Sequence, residues 1–461
     1  LYTSCIAEAA YFIASNGEAA IIDPLRETQP YLDLLEKEGV KLKYIFETHF
    51  HADFVSGHVD LAKKTGATIV YGPMAEAGYD LYSAKDNEEF VIGNLTMQVL
   101  HTPGHTMESS TFLLKDENGK DHAIFTGDTL FLGDVGRPDL AIKSDLTMED
   151  LAGHLFDSLR NRIMPLADDV IVYPGHGAGS SCGKSLSKET VGTLGEQKET
   201  NYALRSDMTK EEFVKEVTEG ILPPPQYFPK NAMMNKMGYE NIDEVMERGV
   251  KALDVEAFKA EVANGAIILD TRKPAEFVKS FIPKSLFIGI DGQFAMWVGA
   301  LITDIKQKIV FIAPEGRESE VVKRLARVGY DNAVGYLDGG VEAWKSAGEE
   351  IDTIQSITPE QFEQEYANDI HVVDVRKNGE FDNQHVEAAS HLPLDYIHDH
   401  LDDLDKDSKH FVHCAGGYRS VIAISILQPY GYKNLVNVEG GFGKIKNLES
   451  VKLTSVACEN S

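Results

Sequence analysis

Apolar and polar residues alternate in a way that predicts a series of short strands early in the chain. Two apolar runs flank Asn16-Gly17, a dipeptide typical of a two-residue turn, so residues 9–23 are expected to form a β-hairpin. The apolar run Lys43–Phe46 predicts a buried strand. Further short strands are predicted at residues 69–71, 90–92, 95–100, 110–114, 122–125 and 170–173.

Helical spacing of apolar residues separates some of these strands. It occurs at Gln29–Glu38, which is followed by Gly39, at Ser56–Lys64 and at Thr147–Leu159. Many short strands interrupted by helices are typical of an α/β sandwich, not of a doubly wound parallel sheet. We therefore predict one α/β domain over residues 1–245.

A segment rich in proline and methionine lies near the end of this domain. It contains Pro223-Pro224-Pro225 and, farther along, Met233-Met234. Because proline-rich sequence favours an extended and semi-rigid chain, we predict a linker here.

The rest of the chain contains an internal repeat. The segment Asp270–Phe277 matches Asp374–Phe381, and two glycine-containing matches follow: Gly329-Tyr330 with Gly431-Tyr432, and Gly339-Gly340 with Gly440-Gly441. Each copy spans about 100 residues of alternating strand and helix, the size of one α/β domain. We predict two such domains, at residues 246–352 and 353–461.

Composition narrows the class of protein. The 461 residues are 43% hydrophobic and 25% charged, as in soluble globular proteins, and no apolar run reaches the roughly 18 residues that span a membrane. The net charge of -29 argues against nucleic acid and anionic membranes as partners. Four scattered cysteines and no visible secretory signal favour a reducing, cytoplasmic location. No role is predicted for Cys5 or Cys458.

Four segments with metal-binding side chains each follow a predicted strand. They are Glu47-Thr-His49-Phe-His51-Ala-Asp53-Phe54, Thr102-Pro-Gly-His105, Thr126-Gly-Asp128 and Tyr173-Pro-Gly-His176. Histidine and carboxylate side chains on loops at the end of a sheet can converge on one metal ion. The sequence therefore predicts a metal site built from these loops.

The order of these segments resembles the metallo-β-lactamase superfamily over residues 1–245, which implies an αββα sandwich. Its two-metal hydrolases, such as glyoxalase II, use His-x-His-x-Asp-His, and the final Asp and His hold the second metal. Phe54 stands at that last position and cannot bind a metal, so the second site is expected to be lost. His58, five residues beyond Asp53, is expected on the surface of a helix.

With one metal, the chain is more similar to the persulfide dioxygenase branch of this superfamily. The resemblance assigns a mononuclear Fe(II) to His49, His105 and Asp128, and such a set with open positions suits non-haem iron and O₂. Three other residues would orient the ligands and bound water: His51, Asp53 and His176. His51 as a fourth ligand, with zinc in place of iron, is the alternative.

Three residues near the metal segments are candidates for binding an anionic persulfide: Arg137, Cys182 and Lys184. A Gly-Arg segment similar to that of Arg137 lies beside the active site in this family, and a structural pair with Asp139 is the other interpretation. Cys182 lies in a glycine-rich stretch. It is either a reactive thiol whose pKa is lowered by Lys184 or an inert cysteine.

A second candidate site is the loop His413-Cys414-Ala-Gly-Gly-Tyr-Arg419-Ser420, between an apolar strand and a helical run. Backbone N–H groups of such a loop, the helix N-terminus and Arg419 would stabilise a thiolate or persulfide anion. With the upstream Asp374-Val-Arg376 and the closing Gly440-Gly441, the loop resembles the active loop of a rhodanese, a sulfurtransferase. Cysteine phosphatases place the arginine six residues after the cysteine. Here the offset is five, which suits a single transferred sulfur.

The first repeat has no such cysteine. Aligning Arg317 with Arg419 places Ile312 at the position of Cys414, so this repeat is expected to be an inactive rhodanese-like domain that serves as a spacer or docking surface. Glutamates beside Arg317 should weaken any affinity for anions.

The whole chain resembles bacterial fusions of a persulfide dioxygenase with rhodanese domains. The resemblance implies that Fe(II) and O₂ oxidise a small thiol persulfide to sulfite. A persulfide on Cys414 would link persulfide, sulfite and thiosulfate, in sulfide detoxification or sulfur metabolism.

Two alternatives are a glyoxalase II-like metallohydrolase fused to a sulfurtransferase and a binding or sensor protein without turnover. Phe54 counts against the first, and the intact Cys414 loop counts against the second. The sequence leaves open the identity of the thiol carrier, the direction of the rhodanese step and whether the chain forms a homo-oligomer.

Overall fold

The structure is a computed structural model that describes residues 1–4, 6–140, 146–180, 182–184, 186–221, 223–366 and 370–454. Cys5, Cys458 and the end of the third predicted domain lie outside the described residues. The chain divides into two compact units, Leu1–Glu244 with Leu325–Gly329 and Val245–Arg324 with Tyr330–Ser461. The domain boundaries at residues 245 and 352 stay predictions. Within the described ranges, no helix has the length and apolar character needed to cross a membrane.

The first unit contains two β-sheets and a short two-stranded ribbon. Its strands are β1 (Tyr2–Thr3), β2 (Glu8–Ala9), β3 (Tyr11–Ser15), β4 (Glu18–Ile22), β5 (Lys41–Glu47), β6 (Thr68–Tyr71), β7 (Tyr82–Ser83), β8 (Glu89–Ile92), β9 (Leu95–His101), β10 (Ser110–Lys115), β11 (Asp121–Gly127), β12 (Ile171–Pro174) and β13 (Gly192–Thr193). One sheet contains β3 to β7 and the other β8 to β13, each in chain order. The predicted hairpin is confirmed, because β3 and β4 pair antiparallel with Ser15 opposite Glu18.

Helices lie between and after these strands in the chain. They are α1 (Gln29–Glu38), α2 (His58–Thr65), α3 (Met148–Ser158), α4 (Leu194–Thr200), α5 (Lys210–Thr218) and α6 (Phe228–Met237). Alternate residues of each strand point to opposite faces. On β10, Phe112 belongs to the core between the two sheets, and Leu113 belongs to the core shared with α3 and α5. The other sheet packs against α1 and α2 in the same way. This arrangement confirms the predicted αββα sandwich.

The segment predicted as an extended linker is partly helical, since Met233 and Met234 lie in α6. Asn235, in the same helix, is fully buried. Its Nδ2 donates hydrogen bonds of 2.7 Å to the carbonyl oxygens of His51 and Phe54. The prediction was wrong here because α6 packs on the predicted metal loop of its own unit.

The second unit contains two parallel five-stranded sheets with the same strand order. The first sheet has β14 (Ala252–Leu253), β15 (Ile267–Asp270), β16 (Leu286–Phe287), β17 (Ile309–Ile312) and β18 (Ala333–Leu337). The second has β19 (Gln355–Ile357), β20 (His371–Asp374), β21 (Ala389–His391), β22 (His410–His413) and β23 (Leu435–Val438). The spatial orders are β14-β18-β17-β15-β16 and β19-β23-β22-β20-β21, which confirms the predicted internal repeat.

The helices continue in chain order. They are α7 (Ile242–Gly249), α8 (Val255–Ala263), α9 (Pro274–Phe277), α10 (Phe294–Leu301), α11 (Glu318–Arg327), α12 (Gly340–Ser346), α13 (Pro359–Tyr366), α14 (Asn378–Asn383), α15 (Arg419–Leu427) and α16 (Gly441–Ile445). Short 3₁₀ or π turns occur at Leu159–Ile163, Tyr202–Leu204, Leu394–His400 and Gln428–Tyr430. Strands and helices alternate within each repeat, as expected for an α/β domain.

Candidate metal centre and cysteine loop

Three side chains predicted to bind a metal meet at one point in the first unit. His49 follows β5, His105 follows β9 and Asp128 follows β11, so strand ends from both sheets supply them. Oδ2 of Asp128 lies 4.0 Å from Nε2 of His49 and 3.5 Å from Nε2 of His105. All three residues are buried. Two histidines and one carboxylate therefore face a common point.

The unpaired polar atoms at this point fit a cation. Both carboxylate oxygens of Asp128 are buried and have no hydrogen-bond partner among the described residues. A buried carboxylate without a donor is unfavourable, and a metal ion facing it would remove that cost. The donor set, imidazole plus carboxylate, suits iron or zinc.

The far side of each imidazole is fixed by a neighbour. Nδ1 of His49 lies 3.0 Å from Oγ1 of Thr48, and Nδ1 of His105 lies 2.9 Å from the carbonyl oxygen of Arg137. Such contacts set the ring orientation and leave Nε2 for a metal. Burial lowers the pKa of His49, and the neighbouring His51, His105 and His176 lower it further. His49 is therefore neutral, the form that binds metals.

His51 contacts a separate pair of carboxylates. Its Nε2 lies 3.1 Å from Oδ1 of Asp23 and 3.5 Å from Oε2 of Glu47. Burial alone would lower the pKa of His51, but Asp23 and Glu47 together raise it to about 10. Because Nε2 of His51 faces these two carboxylates, the contacts favour an orienting role over that of a fourth ligand. Asp23 also accepts from Oγ1 of Thr48 at 2.8 Å, which links it to the His49 contact.

His58 is fully buried, so the prediction that it lies on the surface was wrong. It begins α2, and the first turn of that helix faces the core. Nδ1 of His58 lies 3.3 Å from Oε1 of Glu47, and its Nε2 lies 2.7 Å from the hydroxyl of Tyr79. The distance in sequence from Asp53 did not reveal which face of the helix is buried.

A second group of potential ligands lies next to the first: Asp53, His176 and Cys182. Nε2 of His176 lies 3.4 Å from Oδ2 of Asp53 and also 3.4 Å from Oδ1 of Asp128. The Asp128 carboxylate thus presents one oxygen to each group. Phe54 is buried and supplies no ligand, as predicted from its chemistry. Cys182 was not predicted as a third potential ligand, because it does not directly follow a strand as the other candidate ligands do.

Cys182 lies in a buried environment next to two carboxylates. Burial raises the pKa of Cys182 well above its ordinary value, and the negative charges of Asp53 and Asp128 raise it further. Lys184 was expected to lower this pKa, but its Nζ donates to the carbonyl oxygens of Glu216 and Glu219. That position, after the end of α5, favours a positive charge because the last helical carbonyls are there.

Arg137 forms the structural pair that was the alternative to substrate binding. Its Nε and Nη2 donate to the two carboxylate oxygens of Asp139 at 2.6 and 2.7 Å. Its backbone N–H donates to the carbonyl oxygen of Cys182 at 3.0 Å. Arg137 therefore connects the His105 and Cys182 loops through its backbone, and a role in binding substrate stays a prediction.

The second candidate site lies between β22 and α15 in the second unit. Cys414 is buried, and its Sγ accepts a hydrogen bond of 3.1 Å from the backbone N–H of Gly417. The thiol in turn donates to Oγ of Ser420 at 3.7 Å. Gly417 has a φ of 93°, a left-handed conformation that favours glycine. The loop therefore directs a backbone donor and a helix N-terminus at the sulfur, as expected for a site that holds an anion.

Arg419 forms an ion pair with Glu380 beside the loop. Its Nη1 and Nη2 donate to the carboxylate of Glu380 at 2.6 and 2.8 Å. Burial opposes ionisation of Glu380, but Arg419 outweighs it and lowers the pKa of Glu380. The repeat motif included Glu380, yet its role as the partner of Arg419 was not foreseen. The pair reduces the positive charge that the loop presents.

The structure corrects the alignment of the two repeats by one residue. Asp270 pairs with Ile312 in the first sheet, and Asp374 pairs with His413 in the second. Ile312 therefore corresponds to His413, and Ala313 takes the place of Cys414. Arg419 corresponds to Glu318, and the left-handed glycines coincide at Gly316 and Gly417. The alignment on Arg317 was wrong because it matched an arginine and overlooked the glycine that the turn requires. The conclusion that the first repeat has no cysteine at this position is unchanged.

Comparisons with known proteins agree with this architecture. The metallo-β-lactamase superfamily matches residues 5–176, and the rhodanese-like domain matches residues 254–347 and 358–448. The chain is 31% identical to the mitochondrial persulfide dioxygenase ETHE1 of Homo sapiens over 213 residues, 46% of this chain and 75% of that protein. It is 33% identical to a probable hydroxyacylglutathione hydrolase of Schizosaccharomyces pombe over 175 residues, 37% of this chain and 63% of that protein. It thus spans less than two thirds of the hydrolase's length.

A solved structure extends the similarity beyond one domain. A metallo-β-lactamase from Staphylococcus aureus subsp. aureus COL matches with 31% identity and a TM-score of 0.64, covering 73% of this chain and 96% of that chain. The matched part of this chain is longer than the first unit, so the similarity reaches into the second unit. The chain therefore belongs to the metallo-β-lactamase superfamily, as a fusion of a metallo-β-lactamase domain with two rhodanese-like domains.

Proposed function

We propose that this protein is a persulfide dioxygenase joined to a sulfurtransferase. The cluster of His49, His105 and Asp128 carries the proposal, because two histidines and one carboxylate leave coordination positions open for substrate and O₂. The similarity to persulfide dioxygenase ETHE1 supports the same activity. The rhodanese-like match around Cys414 supports the second activity.

In the first reaction, a small thiol persulfide, RSSH, reacts with O₂ and water to give RSH and H₂SO₃. Four electrons leave the outer sulfur and reduce O₂. A bound Fe(II), held by His49, His105 and Asp128, would supply the redox chemistry. Thr48 and the carbonyl of Arg137 keep the two imidazoles in position. The buried site limits the access of bulk water.

In the second reaction, Cys414 transfers the outer sulfur. Its thiolate attacks the outer sulfur of RSSH, the S–S bond breaks and RS⁻ leaves. Cys414 is then a persulfide, Cys–S–SH. Sulfite then attacks the outer sulfur to give thiosulfate and the free Cys414 thiolate. The N–H of Gly417 stabilises the anion before and after transfer. The first reaction consumes persulfide and releases the sulfite that the second reaction consumes, which supports a role in sulfide detoxification or sulfur metabolism. A cytoplasmic location is part of the same proposal.

A second candidate function is thioester hydrolysis of the glyoxalase II type. The group of Asp53, His176 and Cys182 favours it, because a second cation there would share Asp128 with the first. Two cations that share a carboxylate can activate a water molecule. The chain is 33% identical to a probable hydroxyacylglutathione hydrolase and 31% identical to persulfide dioxygenase ETHE1, so sequence identity supports both functions to a similar degree. The hydrolase would be fused to the same sulfurtransferase.

Metal content and O₂ uptake distinguish the two functions. The protein is purified without oxygen, its metals are quantified, and O₂ uptake is followed with glutathione persulfide. We expect one iron per chain and uptake that depends on the persulfide. His49→Ala should lose both the iron and the uptake, and the exposed His122→Ala is the control that should keep both. Two zinc ions per chain with thioester hydrolysis and no uptake would overturn the proposal in favour of the hydrolase.

A further inference from the structure

Tyr418, in the Cys414 loop, is anchored in the first repeat. Its hydroxyl donates a hydrogen bond of 2.8 Å to the carbonyl oxygen of Gly289, which lies between β16 and α10. Burial raises the pKa of Tyr418, as expected for a hydroxyl that is enclosed and acts as a donor. This hydrogen bond therefore anchors the Cys414 loop of the second repeat to the first repeat.

The first repeat is shaped to receive the Tyr418 ring. A Cβ added at Gly292 would lie 2.3 Å from Cζ of Tyr418, and one at Gly289 would lie 3.2 Å from Cε2. Neither glycine is among those with positive φ, so backbone conformation does not explain them. Close approach of the ring explains Gly292. At Gly289 an added Cβ would also meet the carbonyl oxygen of Arg272 at 2.9 Å and Cζ of Phe287 at 3.1 Å. The two glycines form a slot that any larger residue would narrow.

The helix that follows the loop docks on the same segment. Oγ of Ser425, in α15, accepts a buried hydrogen bond of 3.0 Å from the backbone N–H of Phe287. Phe287 belongs to β16, an edge strand whose outward N–H groups need a partner. The Phe287 and Tyr418 rings meet edge to face at 6.0 Å. Loop and helix therefore rest on one stretch of the first repeat, residues 286–292.

We propose that the first repeat is a positioning element of the sulfur-transfer site, acting through Tyr418. Gly417, whose N–H faces Cys414 Sγ, directly precedes Tyr418 in the chain. Anchoring Tyr418 limits the conformations of a loop that contains two adjacent glycines, and so keeps this N–H aimed at the sulfur. The inference rests on the proposed sulfur transfer at Cys414. It replaces the expected role of the first repeat as a spacer.

Reactivity of Cys414 in the full chain tests this role. Tyr418→Phe removes the hydroxyl and keeps the ring, and Gly292→Ala obstructs the slot. We expect Cys414 alkylation by iodoacetamide, read by peptide mass spectrometry, to slow about fivefold at pH 7 in both variants. The kcat for thiosulfate turnover should fall by about the same factor with KM unchanged.

Tyr432→Phe is the matched control. The Tyr432 hydroxyl also donates to a backbone carbonyl, that of Leu401, but away from the Cys414 loop. This variant should lose a similar amount of thermal stability and keep wild-type alkylation.

Wild-type alkylation at pH 7 in both Tyr418→Phe and Gly292→Ala would overturn the inference, as would an equal loss in Tyr432→Phe. If the wild type transfers no sulfur but the two variants still alkylate slowly, the positioning role stands and the proposed function fails.

Discussion

The two rhodanese-like repeats share a fold and differ in the group that accepts a hydrogen bond from the equivalent backbone N–H of their loops. Both keep the arginine–aspartate pair that follows the first inner strand, Arg272 with Asp270 and Arg376 with Asp374, each at 2.6 Å. In the second repeat the N–H of Gly417 donates to the sulfur of Cys414.

In the first repeat, the equivalent N–H of Gly316 donates to Oε1 of Glu318 at 3.1 Å. A carboxylate of the chain itself thus engages the donor that serves the sulfur in the second repeat. Glu318 also stands where the second repeat has Arg419, and Ala313 stands where it has Cys414. The buried strands and the paired charges preserve the fold. Changes at two loop positions separate a loop that holds a cysteine sulfur from one that holds a carboxylate of the chain.

Removing the cysteine is expected to have the largest effect. Cys414→Ser should reduce thiosulfate turnover about a thousandfold or more, because the attacking sulfur is lost. O₂ uptake with glutathione persulfide should be intact, because Cys414 takes no part in it. Ala313→Ser, at the equivalent position of the first repeat, should change neither rate. Loss of uptake together with transfer in Cys414→Ser would show that the two reactions are not chemically separate.

Installing a cysteine in the first repeat should not make that repeat active. In a Cys414→Ser background, we expect the thiol of Ala313→Cys to be alkylated about tenfold more slowly at pH 7 than Cys414 in the wild type. Glu318 engages the Gly316 N–H and adds a negative charge there. Adding Glu318→Arg should increase the rate. Equal rates for Ala313→Cys and wild-type Cys414 would show that Glu318 is irrelevant.

The smallest expected effect is the stability that the Arg419–Glu380 ion pair contributes and its dependence on pH. Because the pKa of Glu380 is lowered from 4.5 in the fold, its contribution to stability is present above that pH and is lost as the pH falls further. The pair is partly exposed, so we expect Glu380→Gln to cost about 0.5 kcal/mol at neutral pH. Denaturant unfolding of both proteins from pH 7 to pH 3 measures the difference.

Glu276→Gln is the matched control for this pair. Glu276 holds the equivalent motif position in the first repeat, where Glu318 replaces the arginine partner. The difference in stability between the wild type and Glu276→Gln should not shrink as the pH falls from 7 to 3. A difference between wild type and Glu380→Gln that stays constant down to pH 3 would contradict the ion pair.

Local and periodic features were predictable from the sequence. Each strand predicted in the first unit has a counterpart whose bounds agree within two residues, and α1 spans Gln29–Glu38 as predicted. Alternation of side chains and turn residues are local signals, so they need no knowledge of the tertiary structure. The repeat was found for the same reason. Four metal-binding segments were predicted to converge because each follows a strand. The family resemblance selected His49, His105 and Asp128 from them, and the structure brings these three together.

Features that depend on distant packing were not predictable. The burial of His58 and the contact of Asn235 with the metal loop depend on which helix face meets the core. Cys182 joins Asp53 and His176 only through the path of a later loop. The alignment of the repeats failed because the arginines at 317 and 419 appear similar in sequence. Strand register and a left-handed glycine determine the true correspondence.

The central claim is that this chain oxidises the outer sulfur of a persulfide and passes sulfur through Cys414. Its most direct test is one reaction of the iron-loaded full chain with glutathione persulfide, in which O₂ uptake, sulfite and thiosulfate are all quantified. We predict one sulfur oxidised per O₂ consumed, recovered as sulfite plus thiosulfate in the wild type and as sulfite alone in Cys414→Ser. No persulfide-dependent O₂ uptake, or equal thiosulfate from both proteins, would contradict the account.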